Sequence, residues 1–261
     1  MERCRVCGNA FDALTFEHLP PSSAYNNRRV MLYGLQHWLE RGPDGSVSGG
    51  KYQQRGAGNH SLCKDCNSLT GAWYVPEYAG WARRGLALLR QFPDGKTEDR
   101  DVNEKAVTIE FHSVYPLQFL KQVTSMLLSA NPPEFGDGNL ELRSFVRDKL
   151  RHGLSDTYQF YLVLYRGPYA RQSAISGQTD LRMGAQHFFS EIAFPPFSLL
   201  LSLDETEPLL PIGNISHFRD YEYNKKANVE MEVQVGFGHT PYPADFRSMA
   251  AIERDRASQR D

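Results

Sequence analysis

The chain has four cysteines and places all of them in two C-x-x-C pairs, Cys4-Arg5-Val6-Cys7 and Cys63-Lys64-Asp65-Cys66. Two residues between thiolates is the spacing that turns both sulfurs toward one cation, and two such pairs complete the tetrahedral set that Zn²⁺ prefers. No cysteine is left over for a disulfide or a nucleophile. The spacing therefore predicts a structural zinc site that ties residue 4 to residue 66. Metal there would hold together a unit with little core of its own.

The residues between the pairs give that unit its elements. A short strand leads into a knuckle at Cys4–Cys7, with Gly8-Asn9 supplying the turn, and a second strand runs through Leu14-Thr15-Phe16-Glu17-His18. Pro20-Pro21 stops it, because proline cannot donate to a ladder. Residues 28–41 suit a helix or a strand; with the turn Gly42-Pro43-Asp44-Gly45 and the extended Lys51-Tyr52-Gln53-Gln54 after them, a hairpin insertion is the preferred reading. A helix is expected to begin at the second cysteine pair. Pro76 suits the first turn of another helix running to Phe92, with an apolar face of Tyr78, Trp81, Ala82, Gly85, Leu88 and Leu89. A knuckle pair followed far downstream by a pair at a helix start is the treble-clef arrangement.

Between the pairs stand Glu17-His18-Leu19-Pro20-Pro21 and Asn59-His60-Ser61-Leu62, and Asn67 follows Cys66 directly. An imidazole with a pKa of about 6.5 can take a proton from water at neutral pH. A neighbouring carboxylate can ligate Mg²⁺ or a similar hard cation. Adjacent strand residues point to opposite faces, so Glu17 and His18 can share a site only at a strand end or an irregularity. A surface Glu beside a satisfied core His is the bland alternative.

Glu-His-x-x-Pro after a C-x-x-C, then Leu-Cys-x-x-Cys-Asn-x-x-x-Gly, resembles the zinc-containing branch of the HNH endonucleases, the ββα-metal superfamily. The resemblance covers roughly residues 1–75. It implies that His18 is the general base and that Glu17 and Asn67 bind one catalytic divalent metal, Mg²⁺ or Mn²⁺. It also implies that Asn59 is the central Asn that steadies the loop or orients the base, with His60 as the alternative. The four cysteines would then be the structural zinc ligands and no part of the reaction. Phosphodiester hydrolysis needs a nucleophile, a counter-charge and leaving-group stabilisation, which one base and one metal can supply.

The polar, turn-rich run Pro93-Asp94-Gly95-Lys96-Thr97-Glu98-Asp99-Arg100-Asp101 reads as a boundary between domain 1–92 and domain 105–261. Beyond it, Val107–Phe111 alternates like a strand, while Tyr115–Ala130 and Leu140–His152 read as amphipathic helices. Tyr158–Tyr165, Phe188–Phe194, Phe197–Leu203 and Val229–Phe237 are strand-like, rich in β-branched and aromatic residues. Strands and helices do not alternate strictly. The expected class is α+β: an N-terminal treble-clef/ββα-metal zinc domain, then a mixed α+β C-terminal domain. That second domain carries no motif tied to an activity, and substrate selection, homodimerisation and protein-partner binding are the roles open to it.

Charge is unevenly spread. Residues 1–92 carry 11 Lys+Arg against 7 Asp+Glu, while the remainder carries 18 against 24. The basic half is the one with the cysteines, as a site that meets phosphates requires. The opening Met1-Glu2-Arg3-Cys4 has no apolar leader, and no apolar run is long enough to span a bilayer, so a cytoplasmic, non-membrane protein is expected. The leading functional expectation is hydrolysis of nucleic acid, with DNA preferred over RNA. A non-catalytic zinc module that binds nucleic acid or a protein partner keeps the cysteines and discards Glu17-His18. A redox C-x-x-C protein would need exposed, low-pKa thiols.

Overall fold

The computed structural model describes residues 1–32, 51–91, 105–166, 170–179, 186–203 and 209–236. Its architecture is mixed α+β, as the irregular order of elements predicts. Two short strands, β1 (Glu2–Arg3) and β2 (Ala10–Phe11), pair antiparallel around the knuckle. Strand β3 (Thr15–His18) pairs antiparallel with β6 (Gly58–Leu62). Between them, β4 (Val30–Leu32) pairs with β5 (Lys51–Gln53), the base of the expected hairpin insertion. Its tip, residues 33–50, lies outside the described residues. Helix α1 (Lys64–Trp73) starts at the second cysteine pair, and α2 (Val75–Leu89) follows with Pro76 in its first turn. The predicted face of α2 is buried at Tyr78, Trp81, Ala82 and Gly85.

The second half is a six-stranded sheet with one helix laid across it. Strands β7 (Lys105–Val114), β8 (Gln159–Tyr165), β9 (Arg171–Thr179), β10 (Gln186–Phe194), β11 (Phe197–Ser202) and β12 (Ala227–Gly236) stand in the order β7-β12-β8-β11-β10-β9. All neighbours are antiparallel except β12 and β8. Helix α3 (Pro116–Ala130) is buried over nearly its whole circumference, which is how a helix enclosed by other elements differs from one lying on a surface. It packs on α2 and β6 from one half, and on β9 and β10 from the other.

Two short helices follow, α4 (Pro133–Gly138) and α5 (Leu140–Arg147). The sequence predicts a helix to His152, but α5 stops at Arg147, with Asp148 extended at φ −100, ψ 105. The Lys121 ammonium accounts for the stop: it donates to the carbonyls of Phe145 and Asp148, which satisfies the end of the helix. Strand β9 is a second departure. Arg171-Gln-Ser-Ala-Ile-Ser-Gly-Gln-Thr179 has little apolar alternation, because an edge strand needs only one partner to form.

The main buried cluster runs from Cys4, Val6 and Leu62 through Trp81 to Phe119, Phe160 and Leu199, and Tyr161, Val163, Phe189, Leu200 and Leu210 form a smaller separate one. Trp81 joins the two halves, stacked at 4.2 Å on Phe111 and 4.1 Å on Phe119. Arg143 of α5 joins them again, donating to the Arg5 carbonyl at 3.0 Å and to Asp137 Oδ1 at 2.6 Å. Among the described residues, no helix is long and apolar enough to cross a membrane.

Candidate metal centre and the adjoining strand end

The four sulfurs meet. Cys4, Cys7, Cys63 and Cys66 place their Sγ atoms within 4.8 Å of one another, with Cys7 and Cys63 at 3.9 Å. A tetrahedron of Zn–S bonds of about 2.3 Å requires sulfurs about 3.8 Å apart, so the set fits zinc with little adjustment. Local backbone explains the convergence. Gly8 sits at φ +79, which turns the knuckle, and its N–H bonds the Cys4 carbonyl at 2.9 Å. The Arg5 N–H donates to the Ser61 carbonyl at 2.9 Å, fastening the knuckle to β6. Cys63 is the N-cap of α1 and Cys66 lies in its first turn, where the helix dipole favours thiolates.

The thiols are coupled. A hydrogen bond from Cys66 holds Cys4 down to about 4. Cys66 itself is pushed far up, first by that hydrogen bond and then by burial. Cys7 is pushed up mainly by burial and then by the charge on its neighbours. Cys4 forms its thiolate readily while Cys7 and Cys66 resist, through the hydrogen bond to Cys4, burial and the negative charge beside them. A divalent cation removes that conflict.

The resemblance also assigns roles to residues beside the cysteines. Glu17 and Asn59 are directly paired across β3 and β6, and His18 pairs with Gly58. His18 lies at the last position of β3, on the face that also carries Phe16, whose ring it meets edge-on at 5.0 Å. Glu17 points to the opposite face and is 6% exposed. Burial alone pushes its carboxyl up to about 7, and among the described residues no donor hydrogen-bonds it. The Asn59 amide lies on the side of the sheet domain, 3.4 Å from the Ser129 carbonyl and 3.4 Å from Gln172 Oε1. Asn67 binds its own unit: its Nδ2 donates to Thr15 Oγ1 at 2.9 Å and to the Phe16 carbonyl at 3.3 Å, which docks α1 onto β3. Nδ1 of the alternative central residue, His60, is 3.0 Å from the Leu14 carbonyl.

The group that touches the candidate base is one that side-chain motifs cannot show. His18 Nε2 lies 2.9 Å from the carbonyl oxygen of Arg55. A carbonyl only accepts, so Nε2 carries the proton and Nδ1 is left as the basic nitrogen. The turn that presents this carbonyl is held by Asn26, which is 1% exposed. Its amide donates to Pro20 and Ala57 carbonyls at 2.6 and 2.7 Å and accepts from the Ala57 N–H at 2.7 Å. Gly56, at φ +110, is required there, since a Cβ would lie 2.3 Å from the Asn26 carbonyl. Gly56 is the only trace of this device in the sequence; an isolated Asn26 gives no signal.

The cysteines offer sulfur to a soft or borderline ion. A carboxylate and an amide oxygen are donor types that Mg²⁺ or Mn²⁺ takes, but Glu17 faces Asn59 while the Asn67 amide is turned into β3, and no contact among the described residues brings the two together. The chain matches no protein-family model, no curated protein and no solved structure.

Proposed function

We propose that this protein is a metal-dependent endonuclease of the HNH type, hydrolysing nucleic-acid phosphodiester bonds, with DNA preferred over RNA. One observation carries the reading: His18 ends β3 with Nε2 2.9 Å from the Arg55 carbonyl, which fixes the proton there and leaves Nδ1 as the basic nitrogen. In this reading His18 Nδ1 takes a proton from the attacking water, and the carbonyl keeps the ring oriented while it does so. Glu17 and Asn67 would hold the divalent cation, which supplies Lewis-acid polarisation of the phosphate and stabilises the leaving oxygen. A zinc ion held by the four cysteines would have no chemical role; it would tie the knuckle to the start of α1, which Asn67 docks onto β3.

A second reading is favoured by a different observation. Glu17 faces Asn59 and the sheet domain while His18 faces Phe16, and the Asn67 amide nitrogen is occupied by β3. A zinc module that recognises nucleic acid or a protein partner without cutting needs none of these groups free.

Cleavage separates the two readings. Zinc-loaded protein is expected to nick plasmid DNA when Mg²⁺ or Mn²⁺ is added, and His18→Ala to lose roughly 10²–10⁴-fold in rate while keeping its zinc. If His18→Ala cuts as fast as the parent, the assignment of the base is wrong. Absence of cleavage with either ion leaves the non-catalytic module.

A further inference from the structure

The chain around the His18 end of the hairpin has an unusual charge balance. Residues 18–32 and 51–60 contain Arg28, Arg29, Lys51 and Arg55 and not one Asp or Glu. Arg28, Arg29 and Arg55 are exposed, in a protein whose formal net charge is −2. A purely solvated surface would mix signs; this one offers a counter-charge to an anion.

Two large aromatic rings stand in the same stretches, and both are exposed. Tyr52 is 48% exposed and Tyr25 is 45% exposed. Neither is there for want of a polar alternative: solvent-facing positions of a small loop are ordinarily polar, and a ring left in water loses the burial that would stabilise it. Tyr25 also sits at φ +70, a left-handed conformation that suits glycine, at the end of the short turn Ser22–Ala24. The Arg29 guanidinium lies over the Tyr52 ring at 3.4 Å from its centroid. That stack fixes the plane of a flexible arginine and a tyrosine at the base of the β4–β5 hairpin. Tyr52 is three residues before Arg55, whose carbonyl holds His18. At about 3.5 Å per extended residue, the ring's Cα is within about 10 Å of the residue that orients the candidate base.

From these observations we propose that Tyr52, with Arg29 stacked on it, is a platform for the bases of an unpaired nucleotide strand passing the His18 end, and that Tyr25 adds a second stacking face. Stacking on flat side chains within a basic track is how unpaired strands are held without reading their sequence. In a duplex the base faces are already occupied by their neighbours, so a ring platform has nothing to take there. The substrate of the site is then a single strand, or the unpaired part of a branched or looped nucleic acid. This rests on the endonuclease reading for its purpose, but not for its binding chemistry.

The test uses full-length, zinc-loaded protein with His18→Ala introduced so that binding is read without cutting. Fluorescein-labelled twelve-nucleotide single-stranded DNA, single-stranded RNA of the same sequence, and the blunt DNA duplex are titrated by fluorescence anisotropy. The expected order is single strands well above duplex, with the DNA and RNA arms showing which sugar is accepted. Tyr52→Ala should weaken single-strand binding about tenfold, Tyr52→Phe should bind as the parent does, and duplex binding should change less than about twofold in both. Tyr52 is exposed, so neither change threatens the fold, and retained zinc confirms it. Single-strand affinity unaffected by Tyr52→Ala, no single-strand binding at all, or an equal loss on duplex would each overturn the platform. Cleavage by the parent with His18 intact is scored separately. A protein that stacks single strands yet cuts nothing overturns the nuclease reading alone, and one that cuts with Tyr52→Ala unaltered in binding overturns the platform alone.

Discussion

His18 and Arg55 meet at the loop end of the β3–β6 pair, imidazole Nε2 against backbone carbonyl at 2.9 Å. The contact joins a residue that a motif can name to one that no motif can, because the functional group is a main-chain oxygen. Its position depends on Asn26 and on the positive φ of Gly56.

Asn26→Ala is expected to destabilise the protein by about 2–4 kcal/mol, since it deletes buried hydrogen bonds and leaves carbonyls of Pro20 and Ala57 and the Ala57 N–H without a partner. The same variant should free the His18 ring, which NMR of the imidazole nitrogens would register as loss of the Nε2–H tautomer preference. An unchanged tautomer with lowered stability would show that Asn26 serves only the fold.

Glu17 gives a pH dependence with a definite sign. Its carboxyl is raised to about 7 in the folded protein by burial, against 4.5 ordinarily. Between those values the folded state holds a proton that the unfolded state has released, so its contribution is complete below about 4.5 and is lost as pH rises through about 7. The loss amounts to about 3 kcal/mol. Glu17→Gln should therefore be the more stable protein at pH 8 and no more stable at pH 4. Denaturant melts of both proteins across that range test it, and parallel curves would refute it.

Removal of zinc should unfold the N-terminal unit. Structural zinc contributes roughly 10–16 kcal/mol of apparent binding free energy, as much as the whole stability of an ordinary domain, about 5–15 kcal/mol. Native mass spectrometry is expected to show one zinc per chain, lost in Cys63→Ala together with the far-ultraviolet signal of α1. A metal-free Cys63→Ala protein with wild-type melting would exclude the structural role.

Residues 1–92 expressed alone are expected to bind zinc without a cooperative melt. Their core is shared with the sheet domain through Trp81, Phe111 and Phe119, and the knuckle leans on Arg143. In the full chain, Arg143→Ala should cost about 3 kcal/mol, because its buried guanidinium holds the Arg5 and Pro133 carbonyls and Asp137. A sharp, zinc-dependent thermal transition in the 1–92 fragment would show that the unit is autonomous.

The features that were legible in the sequence are those set by local spacing. Two C-x-x-C pairs place their sulfurs by the geometry of a knuckle and a helix start, so the Cys4, Cys7, Cys63, Cys66 cluster followed from sequence alone. The apolar period of α2 and the alternation of Val107–Phe111 in β7 likewise need no partner to be read. The polar edge strand β9 and the early end of α5 could not be read, because an edge position and a lysine from another helix decided them.

By itself the sequence determined the four-cysteine cluster and the mixed α+β class, and the family resemblance supplied the short list of His18, Glu17, Asn59 and Asn67. Tertiary structure alone decided how that list divides: Glu17 and Asn59 toward the sheet domain, Asn67 into β3, His18 onto the Arg55 carbonyl. The reason is that a strand sends neighbours to opposite faces, and which face is buried depends on what packs there. Here it is α3 and β9, from residues more than fifty positions away in the chain.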